Sequence, residues 1–183
     1  MHNKFLNKYY FINKFDQSHL DKQDKDTIII FRNYNHITDI KLILKIKSYC
    51  KKKGNKFLLS NNIKLAIKLD LDGVYIPSFN NLSNFKNLTA HKKFKIIGSA
   101  HNKIQLIKKH KQGCTEVFIA PVFKTKKSKF FLGVSKFNSI SNSCDVKIIA
   151  LGGINLSNFR KLKSVLCSGF AGISWIKKTG LKN

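Results

Sequence analysis

The stretch Val146–Asn155, VKIIALGGIN, sets the pattern for the whole chain. Its first half, Val146–Leu151, is a short β-branched run that predicts a buried strand. Gly152 and Gly153 then mark a tight turn, and Asn155–Leu166 has the apolar spacing of a helix. Strand, turn and helix in this order form the repeating unit of an α/β fold.

The same unit recurs outward from this stretch in both directions. The predicted strands are Lys8–Asn13, Thr27–Arg32, Asn55–Leu59, Gly73–Ile76, Phe94–Ile97, Val117–Ala120, Val146–Leu151 and Phe170–Trp175. The predicted helices are His36–Lys53, Asn61–Leu69, Leu82–Leu88, Asn102–Gln112, Val134–Ser141 and Asn155–Leu166. Eight strands that alternate with helices predict parallel βα units closed into an α/β (β/α)8 TIM barrel. An open flavodoxin-like sheet is the alternative, but it uses fewer strands.

The barrel has to be compact, because the chain has 183 residues and such barrels usually need about 200 or more. The segment Asp16–Asp26 is too short and polar for a full first helix. Little sequence follows Trp175. We therefore expect the first and last helices to be reduced or missing.

Composition excludes two broad classes. Hydrophobic residues make up 43% of the chain, which is enough for a core and argues against global disorder. The apolar runs, such as Ile28–Phe31, are far shorter than the roughly 20 residues of a membrane helix. Residues 1–15 lack the cleavage site of a signal peptide. With no paired spacing among Cys50, Cys114, Cys144 and Cys167, we expect reduced thiols and a cytoplasmic protein.

The net charge of +26 is typical of nucleic-acid binders, but its make-up is not. Only Arg32 and Arg160 are arginines, whereas specific nucleic-acid surfaces use arginine for bidentate contacts. Lysine is spread over the whole chain with abundant Asn, Ile and Phe, which are all encoded by A/T-rich codons. We therefore expect no specific nucleic-acid partner; a functional basic surface is the alternative.

In a TIM barrel the functional residues follow the strands. Gly152 and Gly153, between the seventh strand and a helix, let backbone amides approach a phosphate; an unliganded tight turn is the alternative. The cationic loop Pro121–Lys129 could close on an anion, with Lys129 as a charge clamp. Arg32 ends the second strand, where its planar group could grip phosphate. His101 follows the fifth strand and is either an acid–base group or a packing residue.

Four segments in order resemble the thiamine-phosphate synthase and thiazole tautomerase family. They are IGSAH at 97–101, APVFKT at 120–125 with Ser128 and Lys129, ALGGIN at 150–155, and GFAGI at 169–173. The resemblance implies that residues 1–183 form one barrel domain of this family. The family synthase joins hydroxymethylpyrimidine diphosphate to thiazole phosphate in thiamine biosynthesis and releases pyrophosphate, so the resemblance also implies small phosphorylated substrates.

The resemblance implies a role for each matched residue. Arg32 and Asn61 would bind the pyrimidine diphosphate. Ser99 and Lys129 would stabilise the departing pyrophosphate, and Thr125 would line the thiazole side. Gly152 and Gly153 would hold the thiazole phosphate, and Lys177 stands where a serine is common.

The chain departs from the family at the metal-binding acids. Asn62 stands at the position of one metal aspartate, and we expect it to bind substrate rather than metal. The stretch Ile76–Asn80 (IPSFN), where the second aspartate belongs, has no acid. Mg²⁺ prefers carboxylates, so the residues support Mg²⁺ weakly and no protein metal ligand is predicted. The family's QLREK segment is reduced to Ile30–Tyr34, IFRNY.

These losses leave the synthase as the first hypothesis, with two alternatives. A tautomerase of the same family would need no metal, but its catalytic histidine aligns with Pro121, so His101 would have to substitute. A non-catalytic phosphate-ligand binder is the other alternative. A barrel without its last helix also exposes apolar surface that a second subunit could cover, so a homodimer is a hypothesis.

Overall fold

The computed structural model describes residues 7–34, 39–82, 85, 94–126 and 128–172. Eight parallel strands pair in sequence order, and the eighth pairs with the first, which closes the sheet into a barrel. The strands are β1 Asn7–Ile12, β2 Thr27–Phe31, β3 Phe57–Ser60, β4 Gly73–Ile76, β5 Lys95–Ala100, β6 Glu116–Ile119, β7 Lys147–Leu151 and β8 Gly169–Gly172. The predicted (β/α)8 barrel is confirmed.

Helices cover the outside of the barrel between the strands. They are α1 Gln17–Asp21, α2 Ile40–Lys53, α3 Ile63–Lys68, α4 Lys103–Lys111 and α5 Gly133–Ser141. The first helix, α1, has five residues, so the expectation that it is reduced is confirmed. Part or all of four predictions lies outside the described residues: the start of the helix at His36, the helix Leu82–Leu88, the end of the strand Phe170–Trp175, and a reduced last helix after Trp175.

The prediction of an α-helix over Asn155–Leu166 is wrong. A 3-10 helix, Phe159–Ser164, occupies only the middle of that range. The Asn155 Oδ1 accepts from the amides of Ser157 (2.9 Å) and Asn158 (3.2 Å), which is the contact of a helix N-cap. The hydrogen bonds of Asn155 therefore do not explain why the 3-10 helix begins only at Phe159.

Two apolar layers stabilise the barrel because successive strand residues point to opposite faces. Alternate residues fill the interior of the barrel: Tyr9, Phe11, Ile28, Ile30, Leu58, Tyr75, Ile97, Phe118, Ile149 and Ala171. The intervening residues pack outward against the helices. Strands buried on both faces read as continuous apolar runs, which is why the sequence predicts them as such.

A polar group closes the bottom of the interior, at the amino ends of the strands. The Glu116 carboxylate is 3% exposed, accepts from the Lys95 Nζ at 2.5 Å and also from the Tyr9 hydroxyl. Burial and the Glu116 charge raise the pKa of Tyr9. The only glutamate of the chain thus belongs to the structural end of the barrel rather than to the end where active sites form.

Candidate active site

Arg32 lies at the upper mouth of the barrel, directly after β2. Its amide donates to the carbonyl of Ile12 at 2.7 Å, which continues the pairing of β1 and β2 by one residue. Its guanidinium carbon lies 4.9 Å from the centroid of the Phe11 ring, and Phe11 faces the barrel interior. This cation–π contact holds a planar fork of donors over the mouth of the barrel.

Ser99 is buried in the same mouth. Strand β5 continues to Ala100 instead of ending at the predicted Ile97, so Ser99 lies within the strand rather than after it. The Tyr75 hydroxyl donates to the Ser99 Oγ at 2.9 Å. Burial raises the pKa of Tyr75, which keeps this phenol protonated as a donor. With its oxygen already accepting, Ser99 has its own hydroxyl proton available for an anion above the barrel.

Two asparagines meet where the loops after β3 and β4 approach each other. The Asn80 Nδ2 donates to the Asn61 Oδ1 at 2.6 Å, and the Asn61 backbone has a left-handed φ of 62°. The amide of Asn61 donates to the Tyr75 carbonyl at 2.8 Å. Asn62, by contrast, caps α3, because its Oδ1 accepts from the amide of Leu65 at 3.0 Å. The structure therefore presents Asn61, and not the oxygen of Asn62, to its neighbour across the mouth.

The residues present do not fit a divalent cation. The resemblance places one metal carboxylate at Asn62, whose oxygen caps α3, and the other within Ile76–Asn80, where the neutral Asn80 amide binds Asn61. Mg²⁺ in proteins is held through carboxylates, and within the described ranges no three His, Cys, Asp or Glu side chains cluster to hold a metal.

The loop after β6 forms an open cleft of about 570 Å³. It is lined by Lys124, Thr125, Lys126, Ser128, Lys129 and Phe131. The Thr125 Oγ1 accepts from the amide of Ser128 at 3.0 Å, which folds the loop on itself. The side chains of Lys126 and Lys129 are exposed. The cleft thus offers exposed lysine ammonium groups to an anionic ligand. Lys127 lies outside the described residues.

The glycine turn after β7 packs directly on this loop. Gly152 and Gly153 have φ values of 93° and 74°, and a Cβ on Gly153 would lie 2.4 Å from the carbonyl oxygen of Phe123. The amide of Phe123 donates to the Gly152 carbonyl at 3.1 Å. Among the described residues, the amides of Gly153 and Ile154 have no acceptor. Free amides in a turn are suited to an anion, although the turn does not begin the α-helix that the sequence predicts.

His101 lies beside the turn between β6 and its loop. Its Nδ1 is 2.8 Å from the carbonyl oxygen of Ala120. A carbonyl only accepts, so Nδ1 carries a proton in this contact and the neutral ring keeps Nε2 as its basic nitrogen. The amide of His101 donates to the Gln105 Oε1 at 2.8 Å. The site is therefore compatible with a proton-transfer role for this ring.

Sequence reasoning missed three groups at this mouth. Tyr75 lies inside the predicted strand Gly73–Ile76, and Asn80 lies in a stretch where the sequence analysis considers only acids. Tyr34 and Phe79 form an exposed edge-to-face pair with ring centroids 5.4 Å apart. Exposed aromatics in loops after two strands were the available signal. The predicted site residue Lys177 lies outside the described residues.

Comparisons with known proteins point in one direction. The family model described as "Thiamine monophosphate synthase" matches residues 22–176. A thiamine-phosphate synthase of Prochlorococcus marinus is 31% identical over 138 residues, which cover 73% of this chain and 39% of the relative. One from Helicobacter pylori is 31% identical over 172 residues, covering 88% of this chain and 77% of the relative.

The fold is also that of a solved structure. The thiamine phosphate pyrophosphorylase from Pyrococcus furiosus superposes with a TM-score of 0.76 at 18% identity, covering 97% of this chain and 91% of that chain. At this identity the match concerns the fold alone. The chain spans 39%, 35% and 35% of the length of three Prochlorococcus relatives that it matches.

Proposed function

The chain belongs to the thiamine monophosphate synthase family, and from that premise we propose that it joins hydroxymethylpyrimidine diphosphate to thiazole phosphate in thiamine biosynthesis. The observation that carries this proposal is the arrangement at the barrel mouth. Arg32 follows β2, Ser99 lies near the carboxyl end of β5 and the lysine loop follows β6, so all three stand at the same end of the closed barrel, and the glycine turn packs against that loop. The mouth thus combines donors and cations for two phosphorylated ligands.

The reaction breaks one bond and forms another at a single carbon. The bond between the pyrimidine methylene carbon and the diphosphate oxygen breaks, and its electron pair leaves with pyrophosphate. The lone pair of the thiazole nitrogen then forms the new C–N bond to that methylene carbon. Negative charge develops on the leaving oxygen, so donors placed there in advance lower the barrier.

Four residues take the diphosphate end in this proposal. Arg32 binds the diphosphate through its fork of donors, and Asn61 positions it with its amide. Ser99, whose oxygen accepts from Tyr75, donates a hydrogen bond to the leaving oxygen. Lys129 adds a positive charge from the loop above. In this proposal the buried Ser99 hydroxyl is a fixed donor at the leaving oxygen. The exposed Lys129 ammonium follows the departing pyrophosphate.

The thiazole phosphate occupies the other side of the mouth in this proposal. The amides of the Gly152–Gly153 turn bind its phosphate, Thr125 lines the ring, and Lys177 pairs with the phosphate. Support comes from the packing of the glycine turn on the Phe123 and Lys124 carbonyls, which joins the phosphate turn to the loop that carries Thr125.

We propose that the reaction uses no divalent cation. The Asn61–Asn80 amide pair satisfies its own hydrogen bond, and the lysines of the β6 loop supply positive charge. Full product formation in excess chelator is the expected result. Loss of product in chelator, restored by Mg²⁺, would refute this part of the proposal.

A second candidate function rests on His101. Its protonated Nδ1 contacts the Ala120 carbonyl, next to Pro121, where the resemblance places the histidine of the tautomerase branch. With Nε2 free to accept a proton, the ring could aromatise thiazole phosphate by proton transfer. In that case the His101→Asn variant loses tautomerase activity while binding of thiazole phosphate is kept.

The deciding experiment is a product assay with both substrates. Thiamine phosphate is followed by chromatography with wild type, Lys129→Ala and Lys51→Ala, which removes an exposed lysine at the far end of α2. We expect product from wild type and Lys51→Ala and much less from Lys129→Ala. Wild type that binds thiazole phosphate without product supports the tautomerase or a non-catalytic binder, and wild type that binds neither substrate refutes all three.

Location and assembly are proposals of the same kind. None of the four cysteines, which all lie within the described residues, is joined in a disulfide, which supports a cytoplasmic protein. No helix within the described residues is long and apolar enough to cross a membrane. Exposed Leu156 and Leu166 flank the 3-10 helix and support a homodimer; light scattering that gives a mass of 21.0 kDa would refute it.

A further inference from the structure

Lys109 is a buried lysine in the wall of the barrel. It lies on α4, is 1% exposed, and its stem passes the backbone of β5 at Gly98. A Cβ on Gly98 would lie 3.1 Å from two carbons of Lys109. The absence of a side chain at Gly98 therefore leaves room for the lysine stem, and for the Cys114 sulfur, against the outer face of β5.

The Lys109 ammonium is held by neutral oxygens. Its Nζ donates to the Asn80 carbonyl at 2.8 Å and to the Gln112 Oε1 at 2.9 Å. No carboxylate in the described part of the chain forms an ion pair with it. Burial lowers the pKa of Lys109 to about 8. Burying a cation without an acid partner costs free energy. The hydrogen bonds that Lys109 donates to Asn80 and Gln112 offset part of this cost.

Those hydrogen bonds fasten the segment Pro77–Leu82, which follows β4. Gln112, near Lys109 on the same side of α4, donates from its Nε2 to the carbonyls of Asn80 (3.2 Å) and Leu82. Asn80 in turn accepts from the Leu82 amide through its Oδ1 at 2.8 Å. Two side chains at the end of α4 therefore hold the backbone of this segment through its carbonyl oxygens.

The segment Pro77–Leu82 contacts the candidate active site through the side chain of Asn80. The Asn80 Nδ2 donates to the Asn61 Oδ1 at 2.6 Å. The backbone of Asn61 has a left-handed conformation. A continuous series of hydrogen bonds therefore runs from Lys109 through Asn80 to Asn61. The side-chain Nδ2 of Asn61 is then the group that can donate toward a ligand.

We propose that Lys109 is a positioning residue, whose grip on the Asn80 backbone orients Asn80 and thereby fixes Asn61 for the diphosphate of the substrate. The inference rests on the proposed function, because that function gives Asn61 its ligand. It goes beyond the proposed function in assigning a role to a residue on the outer side of the barrel wall, which touches no substrate.

The first test measures the segment itself and needs no activity. Amide hydrogen exchange of Asn80 and Leu82 is compared in wild type, Lys109→Met and Lys108→Met, which changes an exposed neighbour on the same helix. We expect exchange at these two amides to be at least tenfold faster in Lys109→Met and unchanged in Lys108→Met. Unchanged exchange in Lys109→Met overturns the proposal.

The second test separates positioning from mere stability. Asn80→Ala keeps the carbonyl that Lys109 holds. It removes the link to Asn61 together with the oxygen that accepts from the Leu82 amide, and it remains informative if Lys109→Met does not fold. We expect a roughly tenfold rise in KM for the pyrimidine diphosphate in each variant, with no further rise when the two are combined. Lys109→Arg, which can still donate to the Asn80 carbonyl, should recover part of the loss. Additive effects, or an unchanged KM in Asn80→Ala, overturn the proposal.

The two proposals fail in different ways. A wild type that makes no product refutes the synthase, whereas the exchange experiment still decides the role of Lys109. In that case binding of inorganic pyrophosphate, measured by calorimetry, replaces KM as the readout. Affinity for pyrophosphate that is equal in wild type and Asn80→Ala then counts against the positioning role.

Discussion

Replacing Gly153 with alanine should damage the site more than replacing another glycine of the same backbone conformation. Gly153 and Gly133 have φ values of 74° and 68°, so alanine meets the same left-handed strain at both, about 1–2 kcal/mol. The reduced entropy of the unfolded chain returns roughly 0.4–1 kcal/mol in each case. The backbone cost is therefore shared, and Gly133→Ala measures it alone.

The two sites differ in the space around the new methyl group. At Gly133 no atom lies within 4 Å of a built Cβ, whereas at Gly153 the carbonyl oxygens of Phe123 and Lys124 lie at 2.4 and 2.5 Å. These backbone atoms must retreat by more than half an ångström. Overpacking of this kind costs about 1–3 kcal/mol, so Gly153→Ala should lose roughly that much more stability than Gly133→Ala.

The retreat also moves the loop that carries Thr125 and Lys129. A misplacement approaching 1 Å costs about 100-fold in rate, so kcat/KM for thiazole phosphate should fall roughly 10- to 100-fold in Gly153→Ala and little in Gly133→Ala. Urea unfolding and steady-state kinetics check both quantities. If the two variants unfold at the same urea concentration with the same kcat/KM, the close packing of the glycine turn on the loop is refuted.

Three further predictions concern single groups of the structure. Ser99→Ala should keep the fold and lower kcat about 10²- to 10³-fold, because it removes the hydroxyl that accepts from Tyr75 and faces the mouth; a kcat within threefold of wild type contradicts this role. Tyr9 has a raised folded pKa, so its contribution to stability is complete below pH 10 and declines as the pH rises further; unfolding scans between pH 9 and 11 should show a shallower decline in Tyr9→Phe, and parallel declines would count against it. The double variant Asn61→Asp with Asn80→Asp places two carboxylates where two amides bind each other, so Mg²⁺ at about ten times its dissociation constant should stabilise it by roughly 1.4 kcal/mol. The wild-type melting temperature should not change with Mg²⁺; equal responses of the two proteins would refute the conclusion that this amide pair does not hold a divalent cation.

The strands could be predicted because strands that are buried on both faces appear in the sequence as continuous apolar runs. Runs such as Thr27–Phe31, TIIIF, are buried on both faces, and continuous apolar runs between polar segments show this directly. The end of β5 was missed because Ser99 is polar, and a hydroxyl in a strand carries no signal of the Tyr75 partner that satisfies it. The late, 3-10 start of the helix after β7 was also missed, since Asn155 looks like an ordinary cap.

The site was predicted in part because scarce residue types mark it. Arg32 stands out in a lysine-rich chain, and the paired glycines after β7 have few other uses. The Asn61–Asn80 pair and the buried Lys109 gave no such signal. Asparagine and lysine are abundant here, and their roles depend on partners 19 and 29 residues away along the chain.

Sequence alone determined the βα repeat, the closed barrel and the family, because these follow from local apolar periodicity and from motifs of a few adjacent residues. Tertiary structure decided which polar side chains face one another. The packed barrel brings the ends of β3 and β4 together, buries Tyr75 beside Ser99 and places Lys109 against Gly98 on the outer face of β5. Hydrogen bonds between distant residues depend on atomic positions within a few tenths of an ångström, and only the packed barrel sets those positions.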